Sequence, residues 1–392
     1  MEEKKEYSSI ITAIILIIIS IIFFNIIGSK LNYEKTEENI KYYKAEVLET
    51  KTKKVKTQIP LDNTSGDQKE IEVEEFKALI KDEDLKGKEV EGQKEPTEFK
   101  GVKDDKLKKG DKIIIVKSAI DGDESFHYVS KNYSAKLAVL ILIFILGVIL
   151  IAKTKGFKTI SLLFLIGYAI FKTYIPAIIC GYNIYLTTIL LAFYSITIGI
   201  IIINGLNKKS YSAILGNLVG ISLAGVLGVI TNNIFNMTGI TSEESMLLIR
   251  TENHKFDLRG IAWAGILIGA LGAIMDTGLS ISSSIREISK TTKTTDFKEL
   301  FKSGMEVGKD AISTMISTLL LAYISGTLIQ TLLMNIYVKP MKFLLNSEFI
   351  LEEVIKAAIG AIGILITVPV TAAFASLFEV MENKKEKDIY KK

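Results

Sequence analysis

The sequence predicts an α-helical polytopic membrane protein with eight transmembrane helices and one small all-β, OB-like domain. Three observations predict it. The chain of 392 residues is 48% hydrophobic, with a mean hydropathy of +0.33. Its charge is gathered in one place: of 48 Lys and Arg, 23 fall between Lys30 and Lys136, together with 24 of the 44 Asp and Glu. Outside that stretch lie apolar runs of about 20 residues, the length that crosses a hydrocarbon core of about 30 Å.

The runs are 8–28, 135–152, 159–180, 182–204, 211–235, 260–283, 308–333 and 354–378. The first reads as an uncleaved anchor. Its leading segment carries as many acids as bases or more, and no small-x-small cleavage site follows it. Orientation comes from Lys and Arg in short loops. With the N-terminus inside, the inner segments hold 18 such residues and the outer ones 6. Both termini are therefore expected in the cytoplasm. The expected division is 1–30, tail and anchor; 31–134, extracytoplasmic β-domain; 135–380, seven-helix membrane domain; 381–392, basic tail.

Between 31 and 134 the pattern shifts to short alternating stretches, which read as strands. They are 44–49, 69–80 (with Ile71-Glu72-Val73-Glu74), 88–91, 113–116 and 126–129. Gly87 and Gly110 fall where hairpin corners need them. Five strands in about 100 residues suit a small closed barrel. Such a barrel either docks or binds a cell-envelope protein or ligand. Tyr42, Tyr43, Tyr128 and Tyr133 read as core or interface residues, and 91–109 as a solvated loop.

Composition excludes several classes. Acid and base balance in the polar stretch, so no basic patch for nucleic acid exists. One cysteine, Cys180, and two distant histidines, His127 and His254, exclude a Cys or His metal centre. No nucleotide loop or hydrolase motif is present. Asp276-Thr277-Gly278 matches a protease tripeptide, but within a helix and without a second copy. No cofactor and no enzyme activity are expected, and the lipid bilayer is the assured partner.

Ionisable residues inside a membrane span are costly and are therefore functional candidates. Asp276 shares a helical face with Gly265, Gly269, Gly272 and Ser280, where small residues admit a neighbouring helix. Asp310 shares a face with Glu306, Ser313 and Ser317, beside Thr314. The expectation is a polar cluster between the sixth and seventh spans, with Lys309, Arg286 and Glu306 as charge partners. It either binds an ion or proton, or locks the helix hairpin. Gly216 and Gly220, with Ala224 and Gly228, form a second small-residue stripe. Lys172 reads as a snorkelling residue, and Pro176 and Pro369 as kinks.

The stretch 256–276 (FDLRGIAWAGILIGALGAIMD), 301–310 (FKSGMEVGKD), 318–323 (TLLLAY) and 345–348 (LNSE) resemble the YibE/F-like family of bacterial membrane proteins. The resemblance covers nearly the whole chain. An Arg is usual in that family where Lys309 stands, and an Asn where Ser317 stands. It implies a multi-pass membrane protein with an extracytoplasmic N-terminal domain. Architecture leads to a secondary transporter carrying a small solute or ion, with a membrane scaffold or sensor as the alternative.

Overall fold

The computed structural model describes residues 2–31, 41–57, 69–95, 106–120, 123–250, 256–292, 296–337, 340, 342 and 346–390. The chain divides into two compact units: one contains 34–147, the other 1–33 with 148–392. Each is described by itself.

The first unit holds five strands, β1 (Lys41–Thr57), β2 (Lys69–Ile80), β3 (Glu89–Lys94), β4 (Lys112–Ile120) and β5 (Asp123–Lys131). They close into a barrel in the order β1-β2-β3-β5-β4. Every neighbouring pair is antiparallel except β3 with β5. Alternation puts Tyr43, Ala45 and Val47 of β1 inside, facing Phe76, Ala78 and Ile80 of β2 and Ile113 and Ile115 of β4. All five expected strands are present, most of them longer than their apolar segments. Hydrogen bonding extends a strand past the residues that face the core. Gly87 and Gly110 have φ of +85° and +88°, which Gly adopts without strain. Tyr43 is buried and Tyr128 packs on the core, while Tyr42 and Tyr133 are exposed. Most of the expected loop 91–109 lies outside the described residues, but its first residues, 91–94, belong to β3.

The second unit is helical. Its helices are α1 (Glu2–Lys30), α2 (Ser134–Ala169), a π-helix (Ile170–Tyr174), α3 (Ile175–Ile179), α4 (Ile184–Asn204), α5 (Lys208–Ile234), α6 (Glu243–Arg250), α7 (Leu258–Thr292), α8 (Phe297–Gly326), α9 (Leu328–Tyr337) and α10 (Glu348–Tyr390); α2 begins in the first unit. Side chains start the helices: Asn183 accepts from Leu186 N, Asn207 from Ser210 N and Asp296 from Lys298 N. Asp257 accepts from Gly260 N at the head of α7.

Among the described residues, seven helices are long and apolar enough to cross a membrane. Two expected spans, 135–152 and 159–180, run together as one 46-residue candidate, Ser134–Ile179. It is not straight, because Lys153 has φ 48° and ψ −124°. A Cβ on Gly156 would meet Val148 O at 2.5 Å, although residues eight apart in a straight helix are separated by about 12 Å. The chain therefore turns sharply at Lys153. The expected span 308–333 is divided at Thr327, which ends α8 before α9 begins.

Pro176 does not kink a regular helix. It sits in the first turn of α3, directly after the π-helix, whose wider turn accommodates a ring that would clash with the preceding turn. Pro369 lies inside α10. Lys172 is exposed, and its backbone and stem lie against Gly28 of α1.

α10 is the central helix. It packs against α5, α7 and α8, and α5 packs against α7. The shared core includes Ile221 and Ala224 of α5, Trp263, Leu267 and Ile274 of α7, Leu319 of α8 and Ile359 of α10.

Candidate functional site

The cluster expected between α7 and α8 is not assembled within the chain. Gly265, Gly269, Gly272, Asp276 and Ser280 do share a face, but that face is exposed. Cβ atoms on Gly265 and Gly272 would meet nothing within 4 Å; only Gly269 is close to a neighbour, the Tyr323 hydroxyl. α8 packs through Gly304, Gly308 and Leu319, against Ile285, Val368 and Gly360. Asp310 is two residues from Gly308, about 200° around the helix, so it points away from the core. Ser313, Thr314 and Ser317 are exposed with it, and their helix reclaims them: Thr314 donates to Asp310 O and Ser317 to Ser313 O. The expected charge partners do not reach Asp276. Lys309 pairs with Glu306 at 2.8 Å on the surface, and no ion pair to Asp276 or Asp310 occurs among the described residues. Helical phase groups residues on a face, but it does not say which neighbour covers that face.

Buried polar groups lie instead along α10. Glu352, Lys356, Gly360, Gly363, Thr367 and Thr371 are spaced by four, four, three, four and four residues. That spacing makes one stripe down a helix. The stripe faces the second small-residue run, on α5. A Cβ on Gly220 would overlap Thr367 Oγ1, and one on Gly216 would overlap Thr371 Oγ1. Thr367 donates to Gly363 O at 2.8 Å. Pro369, between the two threonines, has no N–H for the carbonyl one turn back.

Beside the stripe, Asn217 of α5 is fully buried. Its amide donates to Met275 O of α7 at 3.3 Å, and Gly278 makes room for it. Asn217 Oδ1, Thr371 Oγ1 and Ser376 Oγ are buried without a hydrogen-bond partner. At the N-terminal end of α10, Lys356 Nζ lies 2.8 Å from both Glu352 Oε1 and Glu353 Oε1. Glu352 Oε2 and the Tyr323 hydroxyl there are also buried and unpaired. Just beyond, Glu348 accepts from Thr238 N, Thr238 Oγ1 and Gly239 N, fixing the chain after α5 to the head of α10. At the other end, Glu379 is 6% exposed, Asn383 donates to Ser289 Oγ at 3.0 Å, and Lys208 pairs with Glu382 at 3.2 Å. Oxygen-bearing side chains thus lie toward both ends of α10, at 348–356 and at 367–382, while Gly360 and Gly363 between them pack against Leu319 and Ile274.

The Gly220–Thr367 contact yields a direct expectation. Gly220→Ala overpacks the seam and costs about 1–3 kcal/mol. Adding Thr367→Ala restores most of the loss, because the atom that the new methyl meets is gone. Thermal melts in detergent check the pair; additive destabilisation would refute the contact.

Sequence pattern alone does not mark the α10 stripe; there Lys356 counts only as an outer-side charge and Pro369 only as a kink. What signal there is lies in two carboxylates and a lysine at the head of an apolar run, with threonines either side of a proline.

In the barrel, a cleft of about 430 Å³ is lined by residues including Lys51, Glu75, Lys77, Glu91, Gln93 and His127. Ser125 Oγ lies 3.2 Å from His127 Nε2. Lys77 and Glu91 pair at 2.8 Å; the hydrogen bond holds the carboxyl below its ordinary range and lifts the ammonium.

A helical bundle with several apolar, membrane-length helices and a separate five-stranded barrel defines a multi-pass membrane protein. The profile described as YibE/F-like protein matches residues 140–380, and the chain belongs to that family. No curated protein and no solved structure matches it.

Proposed function

We propose that the chain is a secondary transporter or permease of the bacterial cytoplasmic membrane. It passes a small solute or ion through the interior of the α5–α7–α8–α10 bundle. One observation carries the reading: the oxygens buried and unpaired along α10 and beside it on α5. An unsatisfied buried polar group costs about 1–3 kcal/mol, and polar groups inside membrane proteins mark substrate and ion paths. Transporter sites recur at interrupted helices, and the stripe straddles Pro369.

The topology follows from length. Ser134–Ile179 measures about 70 Å at 1.5 Å per residue, more than twice the hydrocarbon thickness. With its turn at Lys153 it makes two crossings, for eight in all. The Lys and Arg bias then places both termini in the cytoplasm and the barrel outside. The barrel's strand order, with β3 parallel to β5, supports the OB type. No catalytic step enters this reading.

Proteoliposomes loaded with ion- and pH-sensitive dyes test it against a panel of inorganic ions. Asn217→Ala and Thr371→Ala are expected to lower flux at least tenfold, while Asp276→Asn, on the exposed face, leaves it unchanged. Flux lost in Asp276→Asn and kept in the two interior variants would return the site to the α7 surface.

The barrel cleft favours a second reading, a scaffold or sensor that binds a cell-envelope protein or ligand there. In that case the interior variants alter stability only, and a photo-cross-linker at Lys51 captures the envelope partner.

A further inference from the structure

Independently of the transport reading, we infer that a groove beside the end of α1 binds one acyl chain of an anionic glycerophospholipid, with the lipid phosphate at Lys30. The groove has a volume of about 490 Å³. Three helical segments wall it: Phe24 and Ile27 of α1, Ala169 and Ala177 on either side of the π-helix, and Leu190 and Leu191 of α4. The two small alanines leave the hollow open. The wider turn of the π-helix lies between them, a feature often found at functional sites.

The lining calls for hydrocarbon. Its hydroxyls are already engaged within the protein. Thr173 Oγ1 donates to Phe24 O at 3.4 Å, Tyr174 and Thr188 share a hydrogen bond of 2.9 Å, and Thr187 Oγ1 donates to Asn183 O at 3.1 Å. A hollow whose polar groups are satisfied offers water few partners and suits an apolar ligand.

Its depth fits a single chain. From Asn183, the cap of α4, to Tyr194, the farthest lining residue along that helix, is eleven residues. At 1.5 Å per residue that is about 16 Å, half of the ~30 Å hydrocarbon core. One leaflet's chain has that reach. By the topology above, the leaflet is the outer one.

The mouth supplies the charge. Among the described residues lining the groove, Lys30 is the one that carries a charge, and it ends α1. Tyr182 stands at the same rim, 60% exposed. A lysine and a tyrosine at the end of an apolar run mark the headgroup level. The stem of Lys172 runs along Gly28 of α1, so a second cation stands near that helix end. Neither lysine is in an ion pair among the described residues. Cations without a carboxylate complement a phosphate and repel the ammonium of a zwitterionic headgroup, so the lipid is a net anionic one.

Native mass spectrometry of the full chain tests this, with phosphatidylglycerol and phosphatidylcholine of identical chains titrated into the detergent-solubilised protein. The expected result is one retained phosphatidylglycerol per chain, held at least tenfold more tightly than phosphatidylcholine and not displaced by inorganic phosphate. Lys30→Gln is expected to abolish that preference. Leu190→Trp fills the groove from its exposed wall and is expected to weaken both lipids at least tenfold. Lys30 and Leu190 are both exposed, and a thermal melt of each variant checks its fold. Should Leu190→Trp not fold, Lys30→Gln decides alone. Equal affinity for the two lipids, a preference kept in Lys30→Gln, full binding by folded Leu190→Trp, or displacement by inorganic phosphate would overturn the inference. Ion flux has no part in these readouts, so the transport reading fails or stands separately.

Discussion

Glu74→Ala is expected to destabilise the barrel by about 3–5 kcal/mol, the usual cost of removing one partner from a buried ion pair. Glu74 of β2 and Lys94 of β3 stand opposite each other in the strand register. Their side chains are 7% and 6% exposed, with Lys94 Nζ 3.5 Å from Glu74 Oε2. The same carboxylate oxygen accepts from Leu107 N at 3.1 Å, so one side chain ties together two strands and the chain leading into β4. Lys94 Nζ also lies 5.6 Å from the centre of the Tyr128 ring, which attracts a cation but does not replace the carboxylate. Truncating Glu74 leaves an ammonium in the barrel wall without that partner. Replacing both residues by Met is expected to recover most of the loss, since well-packed apolar pairs often match buried ion pairs in stability. Urea unfolding of the barrel followed by circular dichroism measures both. A single variant as stable as the parent would show that the pair is not buried in solution.

Trp263→Ala is expected to cost the helical bundle about 3–5 kcal/mol, the range for deleting a large buried aromatic side chain. Trp263 is 1% exposed. Its ring packs on Tyr185 of α4 at 4.8 Å between centroids, and Gly228 of α5 admits its edge: a Cβ there would stand 2.8 Å from the ring. Its indole N–H donates to Gly225 O at 2.9 Å. One side chain thus fastens α7 to two neighbours. Trp263→Phe keeps most of the ring and drops the donor, so its cost should fall to about 0.5–1.5 kcal/mol, the worth of one hydrogen bond, plus the volume lost. Thermal unfolding in detergent, read by loss of the monodisperse peak in size exclusion, orders the variants. Equal melting of Trp263→Phe and Trp263→Ala would assign the stabilisation to the hydrogen bond instead.

These contacts differ in how legible they were. The barrel strands were readable because alternation is local: Ile71-Glu72-Val73-Glu74 announces a strand whatever lies beside it. The alternation marked Glu74 as a polar position, yet the closed barrel buries it beside Lys94. The membrane-length helices were readable for a similar reason, since a run of apolar residues is expensive in water wherever it occurs. The turn at Lys153 was readable as a break between the runs 135–152 and 159–180, where three lysines and Gly156 fall. Its form was not readable, because the segment stays helical on both sides and the reversal rests on one residue's backbone angles.

The sequence by itself determined the elements: five strands, the apolar helices, and the faces along which their residues fall. Tertiary structure alone decided which faces are covered. The stripe from Gly265 to Asp276 and the stripe on α5 through Gly216 and Gly220 look equivalent in sequence. In the fold, α10 presses threonines into the second, and the first stays open except at Gly269, beside Tyr323. Periodicity places a side chain at an angle around its own axis, whereas burial depends on which helix stands at that angle. That choice is settled by the packing of the whole bundle, and it moves the candidate site from Asp276 on α7 to the polar groups of α10.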